Sequence, residues 1–179
     1  MKTDSKVLME EMNTQVKNEQ EALKSAEDSY YYACNFLRGR FEKGEDIISK
    51  NACFSYNYAR EVLNGRFKKG EGVISKDADY SYLYALYILN GRFEKGEDII
   101  SKDAQFSYYY ALNVLKGRFK KGEDIISKDA HYSKFYKENI YDAKKELEKK
   151  LKKKLEKEIK ELKKLRDSIH VNYLDGIEV

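Results

Sequence analysis

Residues able to do chemistry are sparse in this chain and poorly placed for catalysis. The two histidines, His131 and His170, stand far apart and without companions. None of the HExxH, CxxC, GxSxG or phosphate-loop patterns occurs. Paired acids such as Glu97-Asp98 recur, but no nucleophile or metal-ligating partner travels with them. Cys34 and Cys53 fall at different positions of the internal repeat described below, so they read as free thiols and not as a disulfide framework. The sequence therefore predicts no catalytic residue, no metal site and no cofactor, and the chain reads as not an enzyme. One regular array of charge remains. Arg40, Arg66, Arg92 and Arg118 are evenly spaced, as an anion-binding ladder would require. Each is followed by a glutamate, as in Arg66 and Glu71, and often by an aspartate (Asp46, Asp98, Asp124). That company favours a repeated salt bridge that fixes geometry.

The elements that would carry these residues follow from an internal repeat of 26 residues. Gly39, Gly65, Gly91 and Gly117 are in register, as are Phe41, Phe67, Phe93 and Phe119, and Tyr32, Tyr58, Tyr84 and Tyr110. A fifth, partial copy starts at Ala130 and keeps Tyr136. Such a period marks a stacked array in which each unit covers its neighbour's apolar face. Each unit reads as two helices. Asp77 or Asp103 serves as N-cap of the first; Gly91 is expected to end it, as a residue free to take positive φ. The segment RFEKGEDIISK forms a second helix of about two turns, with Gly44, Gly70, Gly96 or Gly122 near its start.

On a helical wheel of residues 52–64, the residues constant between units (Ala52, Phe54, Ser55, Tyr56, Tyr58, Ala59, Val62, Leu63) fill one arc. The variable ones (Asn57, Arg60, Glu61, Asn64) fill the other. Constancy thus reads as packing, and variation as the face open to solvent or a partner. That face is polar in the second unit. It turns apolar and aromatic in the third and fourth, with Leu83, Leu86, Tyr87, Tyr109 and Leu112, which makes it the candidate partner-binding surface. The alternative is that the C-terminal helix covers it.

The ends differ from the array. Residues 1–25 read as an N-terminal capping helix with Val7, Leu8, Met12 and Val16 as its apolar stripe, residues 26–133 as four and a half repeats, 134–169 as one long lysine-rich helix and 170–179 as a tail. Of the net charge of +4, residues 144–166 carry eleven Lys and one Arg against five Glu, and the last thirteen residues are acidic, so the array itself is near neutral. Ile140, Ala143, Leu147, Leu151, Leu155, Ile159 and Leu162 form a row that must fold back on the array, pair with a second copy in a homodimer, or hold a partner. Lys152, Lys153 and Lys157 are expected to steer an approaching partner. Nucleic acid held by residues 144–166 is the alternative partner. With no apolar run long enough to span a bilayer and no apolar core in MKTDSKVLMEEMNTQ, the reading is of a cytoplasmic protein without a membrane partner.

The pattern Tyr-x-Tyr-Ala-x-x-x-Leu-x-Gly-Arg-Phe, followed by Gly-Glu and Ile-Ser-Lys-Asp, resembles short helical repeats of bacteriophage and prophage proteins over residues 26–133. Those repeats carry a proline where this chain has Glu42, Lys68, Glu94 and Lys120. The resemblance implies an all-α solenoid of two-helix units and a phage-type accessory protein, made in a bacterial host. An inhibitor that blocks a host defence complex such as CRISPR–Cas by occluding its surface is the corresponding expectation.

Overall fold

A computed structural model describes Thr14 and residues 17–175, with side chains described through Asp167. It is all-helical, without a strand among the described residues. The chain divides into two regions, one ending at Lys134 and one beginning at Phe135.

The first region is the repeat array. Each long helix begins at a side-chain cap: Ser25, Asn51, Asp77 and Asp103 accept from the backbone N–H three residues on, taking one of the orphan amides of a helix start. The helices Ala26–Tyr31, Ala52–Asn57, Ala78–Tyr84 and Ala104–Tyr109 then widen into π-helical turns, Tyr32–Leu37, Tyr58–Val62, Ala85–Leu89 and Tyr110–Leu115. The expected terminator is not the one used. Arg38, Asn64, Asn90 and Lys116 hold the left-handed conformation, with φ of 47–49°, and no glycine among the described residues has positive φ. Gly91 follows the left-handed residue and donates its N–H to the Ala85 carbonyl at 3.1 Å, a bond spanning the widened turn. Asparagine takes this conformation at lower cost than most residues because its short polar side chain can hydrogen-bond to the local backbone, which lets Asn64 and Asn90 do what was assigned to glycine. Nothing near Gly39, Gly65, Gly91 or Gly117 requires glycine: a Cβ there would meet only a carbonyl oxygen at 3.7–3.8 Å.

The second glycine is essential to the fold. A Cβ on Gly96 would lie 2.6 Å from the Phe93 ring and 2.7 Å from Ser81 Cβ, and Gly70 and Gly122 are equally confined. Here the short helix of a unit lies directly against its long helix. The short helices, such as Glu71–Ile74 and Glu94–Ile100, run for one or two turns. Ser55, Ser81 and Ser107, all fully buried, donate to the carbonyls of Ile48, Ile74 and Ile100 at 2.8–2.9 Å and so tie each unit to the end of the previous short helix. Ser29 does the same to Ala22 at 2.7 Å. Lys43 reaches Glu19 as Lys69 reaches Glu45. Residues 17–22 thus stand where a preceding short helix would. The rest of the predicted capping helix, with Val7, Leu8, Met12 and Val16, lies outside the described residues.

Aromatic rings fill the joints in two registers. Within a unit, Tyr58, Tyr84 and Tyr110 meet Phe67, Phe93 and Phe119 at 5.0–5.2 Å between centroids. Between units, Tyr30–Phe54, Tyr56–Tyr80, Tyr82–Phe106 and Tyr108–Tyr132 lie at 5.7–6.1 Å. These are the distances at which tilted aromatic pairs are favourable.

The fifth copy departs from the pattern. At the position of Gly117 it has Ala143, in right-handed helical conformation, and the π turn Lys137–Asp142 runs on into the helix Ala143–Asp175 instead of ending. This helix has 33 residues. It includes His170–Asp175, assigned above to the tail; no Gly or Pro precedes Gly176 to stop it. In this second region Ile140 is buried, whereas Leu147, Leu151, Leu155, Ile159, Leu162 and Leu165 are exposed.

Candidate protein-binding face

The constant charged residues are used up inside the array. Glu45, Glu71 and Glu97 are almost completely buried. Arg92 Nε donates to Glu97 Oε1 at 2.8 Å and its Nη2 to Oε2 at 3.0 Å; Arg40 holds Glu45, and Arg66 holds Glu71, in the same two-pronged way. The next unit completes the carboxylate's shell. Lys95 Nζ lies 2.8 Å from Glu71 Oε2, and the Tyr110 hydroxyl donates to Glu97 at 3.2 Å. The same tyrosines accept from the backbone: Phe41, Phe67 and Phe93 donate their N–H to Tyr58, Tyr84 and Tyr110 at 2.8–2.9 Å. The aspartates expected beside the arginines pair with lysine instead, Asp46 with Lys69 at 2.9 Å and Asp98 with Lys121 at 2.8 Å.

This joint explains the protonation states around it. Burial alone would raise the Glu71 carboxyl, but hydrogen bonds from Arg66 and Lys95 outweigh it and hold the pKa below the ordinary value. Burial pushes Tyr58, Tyr84 and Tyr110 up to about 12 each, against the backbone N–H that each oxygen accepts. The arginine ladder is therefore a set of joints with a carboxylate in every rung. Open grooves of 430 and 390 Å³ lie at the second and first joints, between Arg66, Glu71, Arg92 and Lys95 and between Arg40, Glu45, Arg66 and Lys69. The carboxylate at the centre of each opposes an anion.

Other reactive groups stay apart. Cys34 and Cys53 are free and half-buried, and burial raises the Cys34 pKa, away from the thiolate. Among the described residues no three His, Cys, Asp or Glu gather as a metal would need. No helix among them is long and apolar enough to cross a membrane.

The variable positions form the outer surface of successive long helices. In the second unit Arg60, Glu61 and Asn64 are exposed and Asn57 is half-buried. In the third, Tyr87 is 54% exposed, with Leu83 and Leu86 half-buried beside it. The Arg60 guanidinium lies 5.2 Å over the Tyr87 ring, within cation–π range. In the fourth, Leu112 is half-buried. Tyr109 sits among other rings: Tyr108 at 5.2 Å, Tyr82 at 6.2 Å and Tyr132 at 6.3 Å. Asn113 donates to the Tyr82 hydroxyl at 2.8 Å, so the aromatic cluster is fixed in place. Leu83, Leu86, Tyr87, Tyr109 and Leu112 thus share one surface of the array. Lys152, Lys153 and Lys157 belong to the second region, exposed on the helix Ala143–Asp175.

The sequence reading missed a second apolar group. Tyr31, Phe36 and Leu37 are 49%, 50% and 37% exposed in the first unit, and Phe36 stacks on Tyr32 at 5.0 Å. Tyr31 is the first member of the column Asn57, Leu83, Tyr109. Extending the wheel one unit toward the N-terminus would have found Tyr31, but not Phe36 and Leu37, which share the register of Val62 and Leu63 in the constant arc.

No protein-family model matches the chain, and no curated protein and no solved structure matches it either.

Proposed function

We propose that the chain is a non-enzymatic protein-interaction module that acts by covering a surface of its target. The observation that carries this reading is the contrast within the long helices. Their constant serines and tyrosines are engaged inside the array, on the carbonyls and amides of neighbouring segments. Their variable residues in the third and fourth units include an exposed Tyr87 and the half-buried Leu83, Leu86 and Leu112. An exposed aromatic in an aliphatic surround, on a rigid scaffold, is what an interface anchor needs. The resemblance of residues 26–133 to phage repeats suggests the class of target, a host complex, with a defence complex as the corresponding case.

The test is affinity capture from a bacterial lysate with the full chain as bait, followed by mass spectrometry. Leu86→Ser with Tyr87→Ala is expected to lose the captured protein while the array still melts cooperatively. Undiminished capture by that double variant overturns the reading.

A further inference from the structure

The helix Ala143–Asp175 carries a straight row of exposed aliphatic side chains. Leu147, Leu151, Leu155, Ile159, Leu162 and Leu165 are 43–64% exposed. Leu147 and Leu165 are eighteen residues apart, five full turns at 3.6 residues per turn, so the row runs straight along the helix for about 27 Å. Its charge is one-sided: residues 144–166 hold eleven Lys and one Arg against five Glu. Three of those glutamates are already engaged along the helix, Glu148 with Lys144, Glu158 with Lys154 and Glu161 with Lys157, each at 3.8 Å.

We infer that this helix is a docking site for an acidic amphipathic helix of another protein, seated along the leucine row and flanked by the lysines. The shape of the row and three comparisons select that occupant. The row is one side chain wide per turn, a ridge that fits between the rows of a second helix. A bilayer would need a broader apolar arc, and would have to bury Glu158, which lies three residues from Leu155 and four from Leu162 on the same face. A second copy would set two strongly cationic helices side by side at about 8–10 Å, roughly the screening length at physiological salt, so their repulsion would persist. A phosphate backbone would satisfy the lysines but leave six aliphatic side chains in water. An acidic helix with its own apolar row matches both the charge and the ridge. This inference is independent of the repeat face, and either can fail without the other.

The experiment uses the full chain and a labelled synthetic peptide five turns long, with leucines at the spacing of the row and glutamates elsewhere. Fluorescence anisotropy at physiological salt is expected to report saturable binding. Leu155→Asp with Leu162→Asp should weaken it by about tenfold or more. A peptide with serine for leucine should be weaker by a similar factor. Reversal of Lys152, Lys153 and Lys157 to Glu keeps the row intact and should shift preference to a peptide with lysine for glutamate. The inference is overturned if the serine peptide binds as tightly. It is also overturned if sedimentation shows a dimer of the chain that Leu155→Asp dissolves, or if only RNA or anionic vesicles bind.

Discussion

The array and the C-terminal helix treat charge and apolar surface in opposite ways. In the array a glutamate is buried only where an arginine from its own unit and a lysine and tyrosine from the next enclose it, as at Glu45. In the C-terminal helix the lysines stay in solvent, and the leucines stay there with them. One region is closed on itself, so its residues are constrained from copy to copy. The other keeps a row of aliphatic side chains exposed among its lysines. The contrast teaches that repetition marks structure here, since each repeated buried glutamate finds its counterparts in its own unit and the next.

The sharpest way to break this comparison is to cut one large side chain from each region. Tyr84 is fully buried, packs on Phe93 and accepts from the Phe67 amide. Tyr84→Ala should cost about 3–5 kcal/mol in urea unfolding of the full chain, as large aromatic deletions do. Leu155 is 57% exposed, and Leu155→Asp should change stability by less than about 0.5 kcal/mol. Comparable losses would mean that the leucine row is a core and not a docking surface.

A second contrast lies within the array. Gly96→Ala forces a methyl into Ser81 and Phe93 and should destabilise by about 2 kcal/mol. Gly91→Ala meets only the Leu89 carbonyl at 3.8 Å and should be neutral or stabilising by about 0.5 kcal/mol. These glycines look alike in the sequence, both constant and both beside the Arg-Phe motif. Their roles differ because one faces a neighbouring helix and the other does not, and a linear repeat carries no sign of which.

The same limit marks what could be read elsewhere. Asp77 and Asp103 announced their helices, because a cap is a local bond to the residue three further on. Arg66 with Glu71 was legible for the same reason. The rest of the glutamate's shell was not: Lys95 is 24 residues from Glu71, and Tyr110 is 13 from Glu97. A constant carboxylate in a row of packing residues was the available hint, since a buried charge must be enclosed. The π-helical turns left no trace that composition could register. On the candidate face, periodicity set Tyr87 apart from the constant arc, and it is exposed, but it could not show that Leu86 is half-buried or that Tyr109 is held in a ring cluster.

Titration offers a smaller effect with a definite sign. The Glu71 pKa is depressed in the folded state, so its contribution is fully present above the unfolded value of about 4.3 and is lost as pH falls through the lower folded value. Tyr58, Tyr84 and Tyr110 are raised to about 12. Their contribution is present below about 10, the unfolded value, and is lost as pH rises toward the folded one. The melting temperature should therefore fall on both sides, below about pH 4 and above about pH 10. Glu71→Gln should flatten the acid limb while leaving the alkaline limb in place. An acid limb of unchanged slope would show that the glutamate joint is not what titrates.

The smallest predicted effect tests the helix endings. Lys116 and Asn90 hold nearly the same left-handed backbone, φ of 49° at both. A lysine pays a steric penalty there of about 1 kcal/mol, which asparagine largely avoids. Glycine relieves it but is more flexible in the unfolded chain. Lys116→Gly should thus raise stability by about 0.5 kcal/mol, and Asn90→Gly by less, with neither change altering capture by the repeat face. If both variants lose stability, the left-handed residue is held by side-chain contacts and not by its backbone alone. The ending would then share the economy of the glutamate joint, in which neighbouring units supply what the local sequence lacks.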